Sequence, residues 1–217
     1  MRGCQAAVQF TGNAAFEWEP AFGAAHPLLW RGFTLTFAKG PTLETVGRTQ
    51  IVCTRASATG EITGPATIGL GGLKLTGCQS RTLGGCRGSG AAAGEIQTGA
   101  LDGQLGTTSV DSNPTKDTVG VELSPASGEA IAELSCGASP ITVRGAVMLA
   151  PGTANRMKSK TIWKGVEHKG VQKLMQFVEG LPVRLEAKIG AGAYEQTGLK
   201  LTADGEDEVD VEFNTVF

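Results

Sequence analysis

Between Leu181 and Ile189 every second residue is apolar. Leu181, Val183, Leu185, Ala187 and Ile189 alternate with Pro182, Arg184, Glu186 and Lys188. A period of two places one set of side chains on each face of an extended strand, which a helix cannot do. The same period recurs in Phe33, Leu35 and Phe37 around Thr34 and Thr36, in Val119, Val121 and Leu123, and in Val209, Val211 and Phe213 around Asp210 and Glu212. These runs predict half-buried strands with one apolar face. Pro182 lies near the start of its run, where a missing N–H is tolerated at a sheet edge.

Further strands are predicted at Leu43 to Val46, Thr49 to Arg55, Gly69 to Thr76, Ala130 to Cys136 and Ile141 to Leu149. Gly137-Ala138-Ser139-Pro140 and Ser124-Pro125-Ala126-Ser127-Gly128 read as turns. Glycine makes up 32 of 217 residues, and no triplet period accompanies it, so the glycines serve turns and bulges rather than a collagen helix. About ten short antiparallel strands with frequent turns predict an all-β fold, a β-sandwich or a flattened barrel. Little helix is expected. Its best candidate is Val171 to Val178, with Val171, Leu174, Met175 and Val178 at helical spacing; a strand or an irregular hairpin arm is the alternative. Gly88 to Gly94 reads as a flexible connection, and Thr107 to Thr118, with Asn113-Pro114, as a long loop.

Residues 1–217 are expected to form a single β domain with a seam at 151–160, because the 57 residues after Lys160 make only a small core of their own. Net charge is −2 and the basic residues are scattered, which excludes an electrostatic footprint for nucleic acid. No run approaches the roughly 18 apolar residues of a membrane span. Met1-Arg2-Gly3-Cys4 has no apolar segment behind it, so a secreted reading expects the natural start to lie upstream.

Five cysteines, Cys4, Cys53, Cys78, Cys86 and Cys136, form no C-x-x-C and have no histidine pair nearby, so zinc is not expected. Cys78 and Cys86 bracket a polar, glycine-containing loop suited to a local disulfide. Cys53 and Cys136 each sit in a strand-like run suited to a bridge between strands. The expected pairs are therefore Cys53 with Cys136 and Cys78 with Cys86, with Cys4 left over. The alternative is five small core thiols in a reducing compartment.

Several segments recur together in one order. They are Thr42-Leu-Glu-Thr-Val-Gly47, Ile51-Val-Cys53, Thr59-Gly-Glu-Ile-Thr-Gly-Pro65, Leu75-Thr-Gly-Cys78, Ala93-Gly-Glu-Ile96, Leu101 to Gly106, Leu123-Ser-Pro-Ala-Ser-Gly128, Ser135-Cys-Gly137 and Val143-Arg-Gly-Ala-Val147. From about Thr42 to the C-terminus the chain resembles a group of uncharacterised secreted β-rich proteins of high-GC Gram-positive bacteria. The resemblance implies an extracytoplasmic compartment and a β fold. It implies no active site. The group carries a signal peptide and extra N-terminal cysteines, where this chain has only Cys4.

Candidate chemistry is sparse. Nucleophilic catalysis needs a base, and the chain has only His26 and His168, with no G-x-S-x-G elbow. Glu17 and Glu19 flank Trp18 and suggest a glycosidase pair, yet two acids on one strand face are too close and too parallel to straddle a scissile bond. The acidic run Asp204, Glu206 and Asp207, in a stretch that also reads as a solvated turn, is a candidate calcium loop without EF-hand spacing. Trp163, Trp18 and Tyr194 are the candidate faces for stacking on sugar rings. Trp30 reads as core. In Lys160-Thr161-Ile162-Trp163-Lys164, Ile162 and Trp163 face opposite ways, and Trp163 is the best single contact. No cofactor is expected.

The functional expectation is a non-enzymatic secreted or cell-envelope module with a structural, adhesive or assembly role. The first alternative is a carbohydrate-binding module for wall or environmental polysaccharide. The second is a glycoside hydrolase-like enzyme using Glu17 or Glu19. Self-association through open sheet edges is a further partner expectation.

Overall fold

The computed structural model describes residues 3–7, 31–64, 66–113, 116–152, 158–178 and 180–216, with the side chains of 3–7, 38 and 208–216 left out. Among the described residues the regular structure is strand, with no α-helix. The strands are β1 (Gly3–Ala7), β2 (Gly32–Thr45), β3 (Gln50–Val52), β4 (Arg55–Gly64), β5 (Thr67–Leu70) and β6 (Lys74–Thr76). Then come β7 (Gln79–Ser80), β8 (Gly84–Gly88), β9 (Ile96–Gln97), β10 (Leu101–Ser109), β11 (Thr118–Pro125), β12 (Ala130–Cys136) and β13 (Ser139–Gly145). The last are β14 (Val147–Pro151), β15 (Lys158–Gly165), β16 (Glu167–His168), β17 (Val171–Gln172), β18 (Leu185–Ile189) and β19 (Tyr194–Val216).

Pairing runs β2–β4–β5–β10–β11–β14–β15–β19 and returns to β2, so eight antiparallel strands close into a barrel. Closure satisfies ladder groups that an open sheet leaves exposed. The other strands extend one end of it. From the C-terminal half of β2 the ladder continues β3–β7–β8–β12–β13–β18 and reaches the N-terminal half of β19. The two longest strands, β2 and β19, thus belong to both circuits. β6 and β9 add to the wall where the circuits meet, and β1 pairs with the end of β19. The strands flanking the 151–160 seam, β14 and β15, are paired neighbours in the barrel.

Alternation sets which residues point inward. Phe33, Leu35 and Phe37 of β2, Val119, Val121 and Leu123 of β11, and Leu201 and Ala203 of β19 are buried in one continuous apolar cluster. Each such large side chain contributes about 1.5–3 kcal/mol by leaving water. The turn at Gly137-Ala138 joins β12 to β13 as the sequence predicts, with Gly137 at φ 56°.

Three local expectations are corrected. Leu181 to Val183 do not continue the strand of Leu185–Ile189, and Leu181 is 88% exposed. The β13 partner runs out at Gly145, which pairs with Leu185, so nothing upstream of Leu185 has a ladder to join. Val171 to Val178 is not a helix. Lys169 and Gly170 both have positive φ, 56° and 80°, the signature of a type I′ hairpin turn, and they link β16 to β17. The acidic run is not a turn: Asp204 to Asp207 lie inside β19, paired with β15 on one side and β2 on the other.

Two disulfides join the four cysteines named above, with partners exchanged. Cys53 bonds Cys78, and Cys86 bonds Cys136. Cys78 and Cys86 do flank the β7–β8 hairpin. Each sulfur, however, meets a cysteine from across a neighbouring ladder: Cys86 stands directly opposite Cys136 in the β8–β12 ladder, and Cys53 and Cys78 lie just after β3 and just before β7, which pair with each other. The side chain of Cys4 lies outside the described residues.

Candidate functional site

The predicted ligand contacts separate in the fold. Trp163 points into the barrel and is 6% exposed, whereas Ile162 is 44% exposed. The expectation of an exposed Trp163 face is therefore corrected: odd-numbered residues of β15 line the interior together with Leu201 and Ala203 of β19. Tyr194 is half-buried, and the Arg144 guanidinium lies 3.7 Å from its ring centroid. Arg144 is fixed in turn by Glu186, at 3.0 Å from both Nε and Nη2. A sugar ring has no bare Tyr194 face on that side. Trp18, Glu17, Glu19, Trp30 and His26 lie outside the described residues, so no geometry attaches to the sugar-site or glycosidase readings there.

The calcium candidates are divided by strand alternation. Asp204 and Glu206 point outward with Lys160, which lies 3.4 Å from Glu206, while Asp207 occupies the other face. Burial pushes the Asp207 carboxyl up to about 7. Among the described residues no three His, Cys, Asp or Glu side chains converge as a metal site.

His168 is exposed at the β16–β17 hairpin. The nearby Glu44 carboxylate is buried, accepting from Gln50 Nε2 at 2.8 Å and from Arg48 Nη1 at 3.1 Å. The Gln50 hydrogen bond, aided by Arg48, holds Glu44 below the usual carboxylate range against the opposing effect of burial. A carboxylate saturated in this way is an anchor rather than a base.

Two features escaped the sequence reading. The first is a strap, residues 166–178, that leaves β15, forms the β16–β17 hairpin and crosses the outside of the barrel. Gln172 Oε1 accepts from the Leu199 amide at 2.7 Å, and the Val178 amide donates to the Thr107 carbonyl at 2.9 Å. Gly106, Gly120 and Gly198 face outward beneath it, where β-carbons would meet Phe177, Leu174 and Glu167. Glycines at outward positions inside strands were the available signal.

The second is an interior cavity of about 110 Å³. Leu35, Leu70, Leu123 and Leu149 of the barrel and Leu134 and Leu185 of the extension help to line it, which places it where the two circuits join. Thr98 is its one polar residue. The Thr98 hydroxyl is already engaged, accepting from the Leu73 amide and donating to the Gly99 carbonyl, both at 2.8 Å.

No family model matches the chain, and no curated protein or solved structure matches it. No helix among the described residues is long and apolar enough to cross a membrane.

Proposed function

We propose that the chain works outside the cytoplasm, secreted or in the cell envelope, as a non-enzymatic module with a structural, adhesive or assembly role. The observation that carries this reading is the pair of disulfides buried in the extension, with Cys136 at 0% and Cys86 at 1% exposure. Disulfides persist in oxidising compartments and are rare in reducing ones. They tie together the circuit whose weakest link is the β3–β7 contact, a single register pair between Val52 and Gln79. A closed barrel with a cross-linked extension suits a module that holds its shape outside the cell. Polysaccharide binding loses Trp163 as a stacking face, and Tyr194 offers only the face away from Arg144.

Fractionation of the source cells tests the proposal. Protein recovered from medium or envelope, with two disulfides by intact mass after alkylation, supports it. Protein recovered from cytosol with five alkylated thiols overturns it.

A further inference from the structure

The cavity at the junction of the two circuits is unlike a packing fault in two respects. It is walled by aliphatic and aromatic side chains from both circuits and from the connecting β9 segment. Its one hydroxyl, on Thr98, is satisfied by the protein's own backbone. A water molecule inside would find at most one lone pair, on Thr98, and water enters buried space only where two to four polar groups receive it. The space therefore holds water poorly, and at about 110 Å³ it is somewhat smaller than an engineered apolar cavity of about 150 Å³ that takes up benzene.

We propose that this cavity is a binding site for one compact, uncharged, apolar molecule, aromatic or branched aliphatic, of no more than about six heavy atoms. Dispersion contacts with the leucine-rich wall supply the attraction. Thr98 has no spare donor, and its one remaining lone pair is the only free polar capacity among the lining side chains, so a hydroxyl or charge brought inside loses most of its water without replacement. β9 supplies Ile96 to the wall and is followed by Thr98, and it pairs with β6 through Lys74 with Gln97 and Leu75 with Ile96. The proposal is independent of the compartment in which the protein works.

The test is a benzene titration of the folded, oxidised protein followed by methyl-resolved NMR. The expected result is saturable movement of the Leu70, Leu123, Leu149 and Leu134 methyls, with the exposed Val110 and Val178 methyls unmoved. Phenol should bind at least about ten-fold more weakly than benzene, because its hydroxyl finds at most one lone pair, on Thr98. Ala132→Leu, which adds three carbons to a residue lining the cavity, should abolish the benzene response. Lining methyls that stay still at saturating benzene, or surface methyls that move as much, would overturn the site. Phenol binding as tightly as benzene would overturn its apolar specificity, and that comparison needs no variant.

Discussion

The ring of Phe177 occupies the space beside Gly106 that a side chain would need: its Cδ1 lies 2.5 Å from where a β-carbon would sit. The strap is thus seated on the barrel by a glycine in the middle of β10. Gly106→Val should lift Phe177 and cost about 1–3 kcal/mol, the usual penalty for overpacking. Hydrogen exchange reads the effect locally. The Val178 amide, bonded to Thr107, should lose protection while the Val121 and Leu123 amides in β11 keep theirs. Uniform loss across the barrel would mean that the strap is not a separable element.

The disulfide pairing is checked by a non-reducing peptide map. Cross-linked peptides should join Cys53 to Cys78 and Cys86 to Cys136. Recovery of Cys53–Cys136 and Cys78–Cys86 would refute the arrangement. The two loops span 25 and 50 residues, so loop entropy predicts losses of about 3.5 and 4 kcal/mol on removing each bridge. Chemical denaturation of a Cys53→Ser/Cys78→Ser variant and of a Cys86→Ser/Cys136→Ser variant, both under oxidising conditions, measures them. The second should lose slightly more.

Asp207 makes stability fall as pH rises. Its carboxyl holds a proton more tightly in the folded chain, up to about 7, than at its ordinary value of 3.8. The folded state therefore gains from the bound proton below 3.8 and loses that gain as pH climbs towards 7. Urea midpoints of the wild type should decline between pH 4 and 7. Asp207→Asn should flatten this limb and be the more stable form at pH 8. An unchanged slope in the variant would exclude Asp207 as its source.

Glu44 works in the opposite sense. Its folded pKa is lowered by Gln50 and Arg48, so its contribution is complete above about 4.5 and is lost as pH falls through the folded value. Gln50→Leu removes the largest cause of the shift. Acid unfolding of that variant should begin at higher pH than in the wild type. The two carboxyls together place the stability maximum at about pH 4, where the fall set by Asp207 from 3.8 upward overtakes the rise set by Glu44 up to 4.5, which a series of thermal melts across pH resolves.

The strand content of this protein was legible because it is written at short range. Phe33, Leu35 and Phe37, or Val119, Val121 and Leu123, need only their own neighbours to declare a period of two, and the structure buries these six. The Gly137 turn was equally local. The sequence by itself thus determined an all-β chain with two disulfides' worth of cysteines in its strand-rich half. Alternation says that Ile162 and Trp163 face opposite ways, but which one is inside depends on β14 and β19 flanking β15. The same holds for Asp204 to Asp207. Their composition suggests a solvated turn, and ladders from Phe33 to Thr36 and from Lys160 to Ile162, far away in sequence, hold them extended. Cysteine partners, the strap over Gly106 and the cavity at the junction were also decided only in the tertiary structure. Each depends on closure of the barrel, which brings together residues that no local pattern can pair, because the energy that fixes them arises only when distant strands meet.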